Sequence, residues 1–129
     1  MEYEEMSILA KQTINPRRLN IYTKISETVC VIETLSGKVY TGINLTSKCN
    51  LGFCAEQACI AQMIKDGETC IKKILTMNMR EELLPPCGKC AEYITQLDNR
   101  NHDAEFYIGE GKTKRIKDIF LMDWKNSSY

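Results

Sequence analysis

The sequence predicts one α/β domain: a single mixed β-sheet with helices on both faces. Three observations predict it. The chain has 129 residues, the length of one domain with enough interior to fold unaided. Its composition, 43 % apolar and 26 % charged, is that of an ordinary globular protein. Its patterned segments run helix, strand, strand, helix, strand, helix, strand, with a variable end, an order that suits helices stacked on one sheet. Residues 1–129 are read as a single domain, without internal repeats or low-complexity segments.

Each element has a local reason. Over 3–14, Met6, Ile8, Leu9, Ala10 and Ile14 recur near the helical period, and Asn15-Pro16 ends the helix. Residues 27–35 are rich in β-branched side chains and read as a strand; Ser36-Gly37 turns the chain into a returning strand over 38–44. A polar stretch from Thr46 to Gly52 leads into a helix over 54–66, closed by Gly67. Residues 70–77 alternate as a third strand, with Ile71, Ile74 and Leu75 buried. Pro85-Pro86 halts regular structure before a helix over 87–97. A fourth strand covers 104–108, and 116–121 forms a short final helix with room for a short strand before it.

Charge and hydropathy exclude some classes. Seventeen Lys+Arg balance 17 Asp+Glu, which argues against a surface built for nucleic acid or for an anionic membrane. No apolar run approaches the roughly 18 residues of a membrane span. The start, Met1-Glu2-Tyr3-Glu4-Glu5, is acidic where a signal peptide is basic. The expected location is cytoplasmic. Seven cysteines, an odd number, fit a disulfide framework poorly and leave metal ligation, thiol chemistry and burial as their uses.

The informative residues are Cys54-Ala55-Glu56 and Pro86-Cys87-Gly88-Lys89-Cys90. Cys87 and Cys90 stand three apart at a helix start, on one face, where both can grip one ion. Cys54 offers a third thiolate, and Glu56 a carboxylate two residues on. Zinc with three protein ligands keeps a fourth position for water, and a glutamate beside that water can move its protons. Three thiolates carry more negative charge than one Zn²⁺ cancels. The positive ends of the two helices offset that excess and lower thiolate pKa values.

Cys-Ala-Glu followed by Pro-Cys-x-x-Cys resembles the signature of the zinc-dependent cytidine deaminase family. The all-cysteine ligand set and the short chain are most similar to its small free-nucleoside members, including the blasticidin S deaminase branch. The likeness covers nearly the whole chain: Thr41-Gly42-Ile43-Asn44, Leu51-Gly52-Phe53-Cys54-Ala55-Glu56 and Leu84-Pro85-Pro86-Cys87-Gly88-Lys89-Cys90 fall in the family's order. It implies a cytidine-deaminase-like three-layer sandwich and hydrolysis of cytidine or deoxycytidine to the uridine form plus ammonia. It also implies Zn²⁺ on Cys54, Cys87 and Cys90, proton transfer by Glu56, and substrate contacts from Asn44, Ala55 and the Pro85 carbonyl. The implied partners are a small pyrimidine nucleoside and further copies of the chain in a homotetramer, with no nucleic acid and no membrane.

Several positions depart from that pattern. Asn44-Leu45-Thr46 stands where cytidine deaminases carry Asn-x-Glu, and no acidic residue follows before Cys54. Gln57 replaces an arginine common after the glutamate. No aromatic residue lies between Thr23 and Ser36, where the family places a phenylalanine near the base. The Trp124 tail is closer to the blasticidin S branch, which makes a deaminase of that type the alternative. A non-enzymatic zinc-stabilised nucleotide-sensing module is another, and a fourth ligand from Cys49 or Cys59 would suit it; Glu56 has no use there.

The remaining motifs have plain readings. Cys30, Cys59 and Cys70 lie in apolar stretches and read as core, whereas Cys49 reads as an exposed thiol. His102 falls in a polar run and reads as solvated. Lys112, Lys114, Arg115 and Lys117 read as a solvated edge without interleaved aromatics. Trp124 reads as a core or interface anchor.

Overall fold

A computed structural model of the chain describes residues 1–126. Helix α1 spans Tyr3–Thr13, with Glu4 and Glu5 in its first turn and Lys11 in its last, signs that suit the helix dipole. Strand β1 is only Arg17–Arg18. Strands β2 (Lys24–Thr34) and β3 (Val39–Thr46) form the hairpin, closed where Lys38 O accepts from Thr34 N and where Gly37 takes φ +92. Helix α2 spans Ala55–Lys65 and β4 spans Ile71–Asn78. Strand β5 is Leu83–Leu84, α3 runs Gly88–Leu97, and β6 runs Glu105–Gly109. Strand β7 (Lys112–Arg115) and helix α4 (Ile116–Ile119) follow.

The sheet is mixed. β2 pairs antiparallel with β3 along one edge and with β4 along the other; β4 and β6 are parallel, and β6 pairs antiparallel with β7. The parallel pair needs a crossover, and α3 supplies it. The two-residue strands β1 and β5 pair with β2 and β4. Both were unreadable in sequence because two residues show no alternation.

Side-chain alternation sorts the core into two layers. Cys30 and Ile32 of β2, Ile74 of β4 and Phe106 of β6 pack with Cys59, Ile60 and Met63 of α2 and with Ile94 of α3. Val29, Val31, Leu75 and Met77 face the other way and pack with Met6 and Ala10 of α1. Helices therefore cover both faces of the sheet, as the sequence predicts. No helix among the described residues is long and apolar enough to cross a membrane.

One contact sets the height of α2 above the sheet. A Cβ on Gly42 of β3 would come within 2.5 Å of Cys59 N and 2.7 Å of Ala55 O. Only a glycine lets the helix backbone lie that close.

Candidate active site

Helices α2 and α3 begin at the same end of the sheet, and each is entered through a cysteine in extended conformation: Cys54 at φ −77, ψ 155 and Cys87 at φ −73, ψ 170. The start of α2 is closed by Gln57, whose Oε1 accepts from Cys54 N at 2.9 Å. That cap uses the position where the family resemblance called for an arginine. The first turn of α3 brings Cys90 round to the same side as Cys87. The Sγ atoms of Cys54, Cys87 and Cys90 lie within 4.8 Å of one another. Cys90 is buried, Cys54 half-buried and Cys87 exposed.

The donor set fits zinc. Tetrahedral ligation with Zn–S near 2.3 Å separates sulfurs by about 3.8 Å, so a small tightening of the three thiols would hold the ion. Among the described residues no fourth cysteine or histidine joins the cluster. Cys59, on the sheet-facing side of α2, is fully buried, its thiol 3.2 Å from Tyr40 O. Cys49 is exposed at φ 60 in the turn before α2.

The electrostatics divide the three thiols. Burial opposes ionisation of Cys87, but hydrogen bonds from the backbone N–H groups of Cys90 and Lys89, and from the thiols of Cys90 and Cys54, outweigh it; its pKa falls below the usual thiol value. Burial pushes the Cys90 thiol far up, aided by the charge of Glu56. Cys54 is raised by burial too, with part of the rise offset by the Cys90 thiol. The helix start thus favours one thiolate outright, and a cation is needed to favour three.

Glu56 sits in the first turn of α2 and is 5 % exposed. Burial raises its pKa, against hydrogen bonds from its own backbone and from the Cys90 thiol. It lies in the wall of a cleft of about 330 Å³, which Asn44, Ala55, Pro85, Cys54 and Cys87 also line. All the sequence-predicted site residues except Cys90 therefore face one cavity, and Cys90 completes the thiol cluster behind it.

Asn44 is largely occupied within the protein. Its Oδ1 accepts from the backbone N–H groups of Glu27 (2.8 Å) and Thr28 (2.9 Å), and its Nδ2 donates to Thr46 Oγ1 at 3.3 Å. These bonds bridge the bulge of β2 between Ile25 and Val29, where Ser26 takes φ 63. One amide hydrogen of Asn44 is left for an occupant.

No family model matches the sequence, and no curated protein matches it. Solved structures do match. A cytidine deaminase from Mycobacterium tuberculosis is similar with a TM-score of 0.74 at 16% identity, over 92% of this chain and 94% of that chain. One from Burkholderia pseudomallei gives 0.69 at 18% identity, over 92% and 96%. One from Bacillus anthracis gives 0.67 at 17%, over 95% and 86%. This chain has the cytidine deaminase fold.

Within this cytidine deaminase fold, the cleft also draws on residues the sequence reading missed: Thr28, Thr46, Phe53, Thr76 and Leu84. A signal for two of them existed. Thr28 and Thr76 continue the stripes Ile32–Cys30 and Ile74 toward the site, so the inward face of β2 and β4 turns from apolar to hydroxylated where the cleft opens. Thr76 Oγ1 is buried without a hydrogen-bond partner.

Three plain readings change. His102 is not solvated: its side chain is 18 % exposed, with Nδ1 2.8 Å from Asn99 O and Nε2 2.6 Å from Asp123 Oδ2. Trp124 is not core: it is 62 % exposed, and its indole N–H donates to Glu92. Cys30 and Cys59 are buried as expected, whereas Cys70 is only half-buried. Lys112, Lys114, Arg115 and Lys117 lie along an exposed edge, where Arg115 and Lys117 approach Asp103.

Proposed function

We propose that this chain is a zinc-dependent hydrolase that deaminates a cytosine nucleoside, converting cytidine or deoxycytidine and water to the uridine form and ammonia. One observation carries the reading: a buried carboxylate, Glu56, stands beside a three-thiol cluster in the wall of a cleft. A structural metal site has no use for that carboxylate.

Zinc on Cys54, Cys87 and Cys90 would supply a Lewis acid that makes a water acidic enough to attack near neutral pH. Glu56 takes the proton released as water adds to the carbon bearing the amine. It passes that proton to the ring nitrogen, then delivers the second to the departing amine, so one group serves every transfer. Burial, by raising the Glu56 pKa, brings its proton affinity closer to that of the groups it serves. Ala55 N–H belongs to the first turn of α2, where helix donors have no intrahelical acceptor; it is free to hold the pyrimidine carbonyl. The Pro85 carbonyl receives the exocyclic amine.

The sugar end favours keeping a second reading. Asn44 has one amide hydrogen to give, Thr46 stands where a carboxylate would grip ribose, and among the described residues the only acid lining the cleft is Glu56. A charge-assisted hydrogen bond is worth about 1.5–3 kcal/mol, so cytidine would bind roughly ten- to a hundredfold more weakly than with that carboxylate. A nucleoside with a different sugar, as in blasticidin S, is the alternative substrate. Following ammonia release from cytidine, deoxycytidine and blasticidin S by the zinc-loaded protein tests both. A preference for blasticidin S beyond tenfold in kcat/KM reverses the order, and no turnover of any of them rejects the deaminase.

The active form is read as a homotetramer in the cytoplasm. The C-terminal segment leaves Leu121, Met122 and Trp124 exposed, apolar surface that a neighbouring copy could cover. Seven free cysteines suit a reducing compartment. Light scattering on the active protein tests the assembly, and an active monomer refutes it.

A further inference from the structure

We propose that Phe53 is the wall against which the flat ring of the substrate stacks, so that the site selects planar heterocycles over saturated ones of the same outline. The proposal rests on the deaminase reading of the cleft and adds the residue that recognises aromaticity.

Among the described residues that line the cleft Phe53 is the one aromatic, and it immediately precedes Cys54. It is 43 % exposed. Its backbone is nonetheless fixed: Phe53 N donates to Leu45 O at 2.9 Å and Leu45 N donates to Phe53 O at 3.1 Å, a β-bridge onto the end of β3. The preceding residue, Gly52, lies so close to the Leu45 carbonyl that no Cβ would fit. A segment pressed onto the sheet by two hydrogen bonds and a glycine presents the ring without a mobile loop.

No other described residue of the cleft can do this. The floor from β2 and β4 offers Thr28 and Thr76, the sugar end Asn44 and Thr46, and the far side Leu84 and Pro85. None has a π-face. A ring whose reacting edge meets Glu56 needs one face supported, and Phe53, next to the first thiol, is placed to support it. Base–aromatic stacking contributes enough that its loss weakens binding roughly ten- to a hundredfold.

The test uses the zinc-loaded full chain and two unreactive probes, uridine and 5,6-dihydrouridine, which share polar groups but differ in ring planarity. Equilibrium binding by the wild type should favour uridine. Phe53→Leu should weaken uridine about tenfold or more while leaving dihydrouridine nearly unchanged, and Phe53→Trp should restore the preference. In a Phe53→Trp, Trp124→Phe background the indole fluorescence should be quenched by uridine and much less by dihydrouridine; this readout decides the matter if the leucine variant fails to fold. An unchanged preference in Phe53→Leu, an equal loss for both probes, or no quenching overturns the role of Phe53 while cytidine turnover leaves the deaminase standing. A wild type that binds neither probe and releases no ammonia from cytidine overturns both.

Discussion

Asp123 Oδ2 meets His102 Nε2 at 2.6 Å, and the same carboxylate accepts from Lys125 Nζ through Oδ1 at 2.9 Å. Lys125 in turn reaches Glu92 of α3 at 2.6 Å. Residues 123–125 are thus tied to the turn after α3 and to α3 itself, the helix that carries Cys90.

Acid should undo that tie. Burial works against the charge on Asp123, but hydrogen bonds from Lys125 and His102 overcome it and hold its pKa below the usual carboxylate value. Glu92 is likewise lowered, by hydrogen bonds from Lys125 and Trp124. A depressed folded pKa means stability present above the unfolded value and lost as pH falls through the folded one. The tie should therefore hold at neutral pH and release below the ordinary carboxylate range near pH 4. Fluorescence of Trp124, the one tryptophan in the chain, reports it, and Asp123→Asn should give the released signal at neutral pH.

Gly42→Ala should injure the site from a distance. The added Cβ meets backbone atoms of Cys59, Ala55 and Ala58, none of which can rotate away, so α2 must lift with Cys54 and Glu56 at its head. Overpacking of this kind costs about 1–3 kcal/mol. A lower denaturation midpoint together with weaker zinc retention is the expected result; a lower midpoint with unaltered zinc affinity would show that the helix head stays in register.

Glu56→Gln should keep fold and metal and lose turnover by about 10² to 10⁴. Elemental analysis and ammonia release on the same preparation check both halves. More than a tenth of wild-type activity would assign the proton transfers elsewhere.

Zinc removal should loosen the two helix starts together. Cys54 belongs to one and Cys87 and Cys90 to the other, so a bound ion would act as a clip between them. Free zinc a thousandfold above its dissociation constant adds about 4 kcal/mol, which in a chain of this size raises Tm by on the order of 10 °C. Cys54→Ser should abolish most of that rise, as thermal melts with and without chelator would show.

Much of the fold was legible because its causes are local. The helical recurrence of Met6 and Ala10, the turn at Gly37 and the cysteines at two helix starts need no knowledge of distant residues. The Cys54, Glu56, Cys87 and Cys90 set stood out because ligand spacing on a helix is a short-range fact.

The rest depended on register and packing across long separations. Asn44 could be read as a sugar ligand, but its carbonyl is taken by a bulge that only the pairing of β2 with β3 creates. Thr28 and Thr76 became cleft residues through the same kind of pairing, between β2 and β4. His102 looked solvated because Asp123, twenty-one residues away, is invisible to local pattern. The sequence by itself named the residues proposed to ligate a metal and to move protons. Only the tertiary structure decided that three thiols from two helix starts converge within 4.8 Å, because the height of α2 is set by its backbone contact with Gly42 of β3, which no local pattern announces.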